Sequence, residues 1–168
     1  WSLDDALRLA AERGRLMAER ALPGAMAAVA LPADVVAPLL APGAELAAIN
    51  APDEVVVAGP ADAVEATLAA LPPGSRATRL PVSRPFHTAC VDPMLAPFEA
   101  AVAAVSARRP DRPLVSLATA REESDALTTA AFWRDHVRRP VRCADAARVL
   151  ATRATVFVDL GPTPVLST

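Results

Sequence analysis

Apolar positions recur at helical spacing over the first twenty residues. Leu3, Leu7, Ala10, Gly14 and Met17 fall on one face of a helix predicted over 2–20. Ser2 is placed to cap it, and Asp4 and Asp5 sit in the first turn, where the positive end of the helix dipole favours acids. Arg13 lies beside the apolar face, an unusual place for a charge. Pro23-Gly24 ends the helix, and the period changes. Residues 25–31 (AMAAVAL) predict a strand and 33–41 a short helix. Residues 45–50 and 54–59 predict two strands joined by a tight Ala-Pro-Asp turn. An amphipathic helix over 61–71 stops at Pro72-Pro73-Gly74, and 76–82 predicts a further strand. The order β-α-β-β-α-β is that of a ferredoxin-like unit, so a small subdomain is expected over 24–82.

A loop, SRPFHTACVDP, follows at 83–93. The pattern then predicts a helix at 94–108, a strand at 113–118, a polar loop at 119–129, helices at 130–137 and 142–152, and a strand at 155–161 running into Gly-Pro-Thr-Pro. Strand–helix alternation predicts a piece of a parallel α/β sheet. Residues 1–23 and 83–168 then read as parts of one larger α/β subdomain that flanks the small one. A chain opening on a helix with no strand before it is expected to be a truncated domain. Its apolar faces and sheet edge would need a missing segment or a second copy to cover them.

Composition narrows the function classes. The chain has 168 residues, 53% of them hydrophobic, and a formal net charge of −2, a globular profile with material for a sizeable core. Its 17 basic residues are all arginine, scattered among acids, and the pI is about 5.7, which argues against a nucleic-acid surface. No run approaches the ~20 apolar residues needed to span a bilayer. With no basic-then-apolar leader and two cysteines, Cys90 and Cys143, that form no framework pattern, a reducing cytoplasmic location is expected.

Chemistry-bearing residues are few. There are two histidines. His87, in a loop after a strand, suits a general base, because a histidine titrates near neutrality. His136 sits on a helix beside Trp133. His87-x-x-Cys90 has the spacing of a metal-ligand pair, but His136 and Cys143 do not supply a second short pair, so no metal is expected. None of the six glycines builds a phosphate loop, and none of the serines lies in a Gly-x-Ser-x-Gly elbow. The residues alone thus offer a base and a semi-buried arginine without a nucleophile.

Four segments, in order, carry a resemblance over nearly the whole chain. They are WSLDDALRLAAERGRLM, AAINAPDEVVVAGPADAVEAT, LPVSRPFHTACVDPML, and FWRDHVRRPVRCADA with VFVDLGPTPVL. Together they resemble the acyltransferase domain of type I polyketide synthases and the related malonyl-CoA:acyl carrier protein transacylases. The resemblance implies a ferredoxin-like subdomain inserted in the C-terminal part of an α/β-hydrolase-like core. It implies that His87 is the base of a Ser–His dyad and that Arg13 pairs with the free carboxylate of a malonyl group. His136 would orient the His87 imidazole through its backbone carbonyl. Arg84, Pro85 and Phe86 would bear on extender choice. Phe86 leans toward malonyl, while Arg84 and Pro85 match neither the His-Ala-Phe-His nor the Tyr-Ala-Ser-His form. No bound cofactor is implied. The substrate would be an acyl-CoA, and the partners an acyl carrier protein with its phosphopantetheine thiol, neighbouring synthase domains and the N-terminal half of the domain.

The family's Gly-His-Ser-x-Gly segment is missing from these residues, so the chain by itself is expected not to transfer acyl groups. Two other classes stay open: a non-catalytic module that docks a carrier protein, and a metal-dependent hydrolase built on His87 and Cys90.

Overall fold

The computed structural model describes residues 1–160. Helix α1 covers Leu3–Arg20 and is capped by Ser2, whose hydroxyl accepts from the Asp5 N–H at 3.1 Å. Its buried stripe is not the one the spacing suggested. Leu9 and Leu16 are buried, whereas Leu3 and Leu7 are 74% and 60% exposed. The helix carries apolar residues on two stripes, and the one that meets a neighbour is Leu9–Leu16.

A four-stranded antiparallel sheet follows. Strand β1 is Ala25–Val29, β2 Glu45–Ala51, β3 Glu54–Gly59 and β4 Ala77–Arg79, in the order β2-β3-β1-β4. Between β1 and β2 lies the short helix α2 (Ala33–Val36) with a 3-10 turn at Ala37–Leu39. Between β3 and β4 lies α3 (Ala61–Ala69). Strand β3 runs EVVVAG because it is buried on both faces. Val55 and Val57 join Ala27, Val29, Val36 and Val64 on the side of α2 and α3. Val56 and Ala58 join Met26 and Ala47 on the opposite side.

The remainder is mostly helical. Helix α4 (Asp92–Ala103) begins two residues earlier than expected, with Pro93 in its first turn, where a missing N–H costs nothing. Helix α5 is Ala130–Arg138 and α6 is Cys143–Ala151. Leu9 and Leu16 of α1, Met94, Phe98 and Val102 of α4, and Val137 of α5 form one apolar cluster, apart from those of the sheet. Two expectations fail here. Instead of a parallel strand, β5 (Leu114–Ser116) pairs antiparallel with β6 (Arg121–Glu123), inside the stretch read as a polar loop. The strand expected at 155–161 does not form over residues 155–160; Val156, Phe157, Val158 and Leu160 are exposed there, with no described strand to pair with. The Gly-Pro-Thr-Pro stretch lies outside the described residues. One parallel contact exists, an isolated bridge between Ala48 on β2 and Val141. Among the described residues no helix is long and apolar enough to cross a membrane.

Candidate active site

The loop after β4 brings His87 between the sheet and the helices. His87 has φ +61°, a left-handed conformation that is uncommon away from glycine and marks a residue held by its surroundings. Those surroundings are specific. The buried Thr88 hydroxyl donates to the Pro85 carbonyl at 2.8 Å and accepts from the Cys90 N–H at 3.3 Å. Next to it, the Ala89 N–H donates to Glu45 Oε1 at 2.6 Å.

The His87 Nδ1 lies 2.8 Å from the Arg139 carbonyl oxygen. A carbonyl only accepts, so Nδ1 carries the proton and, in the neutral ring, Nε2 carries the lone pair. The orienting carbonyl is therefore that of Arg139 and not that of His136. The reason is local. Helix α5 ends at Arg138, and the residue before Pro140 is pushed into an extended conformation (ψ 151°), which turns the Arg139 carbonyl out of the helical ladder.

Burial is the main force on the ring. It lowers the His87 pKa from 6.5 to about 4, against the raising effect of the Arg139 carbonyl, with the Arg13 and His136 charges lowering it further. His136 shifts the same way, chiefly by burial and then by Arg13. Both imidazoles are thus neutral at pH 7, the state a general base needs. The sign for stability follows from linkage. Unfolded histidine binds protons near 6.5 while folded His87 does not until about 4, so the chain loses stability as pH falls through that window. Thermal unfolding measured at several pH values is expected to show this slope, and His87→Gln to lessen it, leaving the part His136 contributes; an unchanged slope would mean the His87 ring is solvated.

A cavity of about 220 Å³ gathers these groups: Arg13, His87 and His136, closed by Leu117, Ala118 and the 139–141 segment. Arg13 enters it from α1. Its Nε is buried with no hydrogen-bond partner among the described residues, and burial lowers its pKa. A cation left unsatisfied beside a cavity is suited to an anionic ligand. Among the described residues no three His, Cys, Asp or Glu side chains gather to hold a metal ion.

The three residues expected to bear on extender choice do not line this cavity. Phe86 packs on the sheet face formed by Met26, Ala47, Val56 and Ala58. Pro85 is fully buried, and Arg84 reaches back to the Ala18 carbonyl at 3.4 Å. They fix the loop to its supports. Sequence reasoning missed Arg139, Leu117 and Ala118. An arginine preceding a proline at a helix end was the available signal for the first, and nothing in the local pattern marks the other two.

The family model for the acyl transferase domain matches residues 1–168. The phenolphthiocerol synthesis polyketide synthase type I Pks15/1 of Mycobacterium bovis is 46% identical over 92% of this chain, which covers 7% of that protein. The mycoketide-CoA synthase of Mycobacterium tuberculosis is 38% identical over 96% of the chain, covering 4% of it. Among solved structures, the acyltransferase domain from the second module of the salinomycin polyketide synthase superposes with a TM-score of 0.91 at 40% identity, over 98% of this chain and 40% of that one. The MCAT of Streptococcus pneumoniae gives 0.91 at 29% identity, over 99% and 58%. The chain thus spans a small part of the synthases it matches and 40% to 58% of these two solved domains. It has an α/β fold like theirs, and it belongs to the acyl transferase domain family, among the acyltransferase domains of polyketide synthases.

Proposed function

We propose that this chain forms the base-bearing part of an acyltransferase site that moves a malonyl-type unit from CoA to the phosphopantetheine thiol of an acyl carrier protein. The observation that carries this reading is one cavity holding a neutral, carbonyl-oriented His87 beside Arg13, whose buried Nε has no hydrogen-bond partner among the described residues. In the proposed cycle, Nε2 of His87 takes the proton of a serine hydroxyl as its oxygen attacks the thioester carbonyl. The C–S bond breaks, and the imidazolium returns the proton to the departing CoA thiolate. The carrier thiol then attacks the acyl-serine by the same steps in reverse. Arg13 binds the free malonyl carboxylate, since its planar fork matches two carboxylate oxygens. His136 contributes its ring to the cavity wall. Arg84, Pro85 and Phe86 act on extender choice by setting where the His87 loop runs.

The architecture is read in the same terms. The strand order β2-β3-β1-β4 with α2 and α3 supports a ferredoxin-like subdomain over 24–82. Residues 1–23 and 83–168 contribute to a larger hydrolase-like subdomain, and the separate apolar clusters support that division. None of the chain's serines has elbow glycines, so the nucleophile comes from a part of the protein outside these 168 residues, and the chain alone does not transfer acyl groups.

Intact mass after incubation with malonyl-CoA tests this. The chain alone is expected to gain nothing, and the longer protein that contains it to gain one malonyl group. A gain by the chain alone would mean that a residue here is the nucleophile. No gain by either would favour the non-catalytic carrier-docking module instead.

A further inference from the structure

We propose that Glu45 is a positioning residue for the His87 imidazole, because one carboxylate holds both sides of the His87–Arg139 hydrogen bond. The inference rests on the reading of His87 as the base. On the His87 side, Glu45 Oε1 accepts from the Ala89 N–H at 2.6 Å, two residues beyond the left-handed His87. On the Arg139 side, the neighbouring Arg138 grips the same carboxylate with both ends of its fork, Nη1 to Oε2 at 2.8 Å and Nη2 to Oε1 at 3.1 Å. Its Nε donates to Asp92 at 2.9 Å, on the first residue of α4.

Strand β2 also anchors Arg139 from the other direction. The Val141 N–H donates to the Ala47 carbonyl at 2.9 Å, and the Ile49 N–H donates to the Val141 carbonyl at 2.8 Å. Arg139 is therefore slung between two attachments to β2, one through a side chain at Glu45 and one through backbone at Ala47–Ile49. Pro140, within that span, has no N–H of its own to give. Removing Glu45 cuts the first attachment and one support of the His87 loop together, leaving Asp92 on Arg138, Thr88 within the loop and the backbone attachment.

Stability alone does not account for such an arrangement. The Arg138 and Glu45 side chains are 30% and 33% exposed, and pairs this open to solvent contribute about 0–1 kcal/mol. Geometry is where their effect falls, since a displacement of about 1 Å at a reacting group costs on the order of 100-fold in rate.

The chain has two histidines, so long-range proton–nitrogen NMR spectra can be assigned to His87 and His136 with one variant. In the parent chain His87 is expected as a single tautomer protonated at Nδ1. In Glu45→Ala the ring is expected to leave the carbonyl, giving a mixture of tautomers. Its titration midpoint is expected to move up from about 4 as water reaches it, because burial outweighs the raising effect of the lost carbonyl. The charged groups that face His87, Arg13 on α1 with His136 and Arg139 on or beside α5, are unaltered. Glu45→Gln keeps one accepting oxygen toward Ala89 but loses an acceptor for Arg138, and is expected to fall between the parent and Glu45→Ala in tautomer and midpoint. Where Glu45→Ala fails to fold, Glu45→Val, which suits a strand, is read the same way. A parent-like tautomer and midpoint in Glu45→Ala, or in Glu45→Val where that stands in for it, overturns the proposal. In the protein that transfers acyl groups, Glu45→Ala is expected to lower kcat about 10–100-fold with KM unchanged. Full activity in His87→Ala would instead overturn the reading of His87 as base, and the NMR result on Glu45 would stand apart from it.

Discussion

On the proposed reading of His87 as base, acyl transfer by the protein carrying this chain is expected to fall about 10²–10⁴-fold when His87 is replaced by alanine, the range a positioned general base contributes. The fold should survive, because the ring's described hydrogen bond is the one to the Arg139 carbonyl and the loop is fixed by Thr88, Glu45 and Pro85. Arg13→Ala separates binding from chemistry. If Arg13 holds the malonyl carboxylate as proposed, losing a charge-assisted hydrogen bond of about 1.5–3 kcal/mol is expected to raise KM for malonyl-CoA by roughly 10–150-fold. Acetyl-CoA, which has no free carboxylate, should lose nothing by the same change. Steady-state kinetics with both thioesters decide the matter. A His87 variant near the parent rate removes the ring from the reaction, and equal losses on both thioesters remove Arg13 from carboxylate recognition.

The two residues were legible in the sequence for different reasons. His87 stands in a loop between a strand and a helix, and Arg13 is a charge beside an apolar stripe; local pattern noticed both, but the roles proposed for them came from the family resemblance. Which stripe of α1 is buried was not legible, since Leu3–Leu7 and Leu9–Leu16 are both apolar and only the position of α4 chooses between them. The β5–β6 hairpin escaped for the opposite reason. Its second strand is Arg-Glu-Glu, which has no apolar alternation to read. Glu45 was beyond reach altogether. It bonds Ala89 and Arg138, 44 and 93 residues away in the chain, and periodicity carries no information about such meetings. Arg139 lies between these cases. The proline after it marks a helix end, but only the fold reveals that the freed carbonyl meets an imidazole.

The same methyl group, added at two glycines, is expected to act with opposite sign. Gly24 sits between the ends of the His87 loop, its N–H donating to the Ser83 carbonyl at 3.1 Å, while the Leu22 N–H donates to the Cys90 carbonyl at 2.8 Å. A Cβ at position 24 would lie 2.2 Å from the Gly59 carbonyl oxygen and 2.8 Å from Pro85 Cγ. The oxygen belongs to the backbone beside β1 and cannot turn aside, and Pro85 is fully buried, so strand and loop must move apart. Overpacking of this kind costs about 1–3 kcal/mol. For a chain of this size that lowers the thermal midpoint by roughly 2–12 °C. Gly14, on the exposed side of α1, has nothing within 4 Å of its would-be Cβ. Alanine there removes the backbone freedom that glycine costs a helix, a gain of about 0.8–1 kcal/mol. Calorimetry of Gly24→Ala and Gly14→Ala side by side tests both. Were Gly24→Ala as stable as the parent, the close seat of the His87 loop on Gly24 and Gly59 would be wrong. The placement of the imidazole that depends on that seat would fall with it.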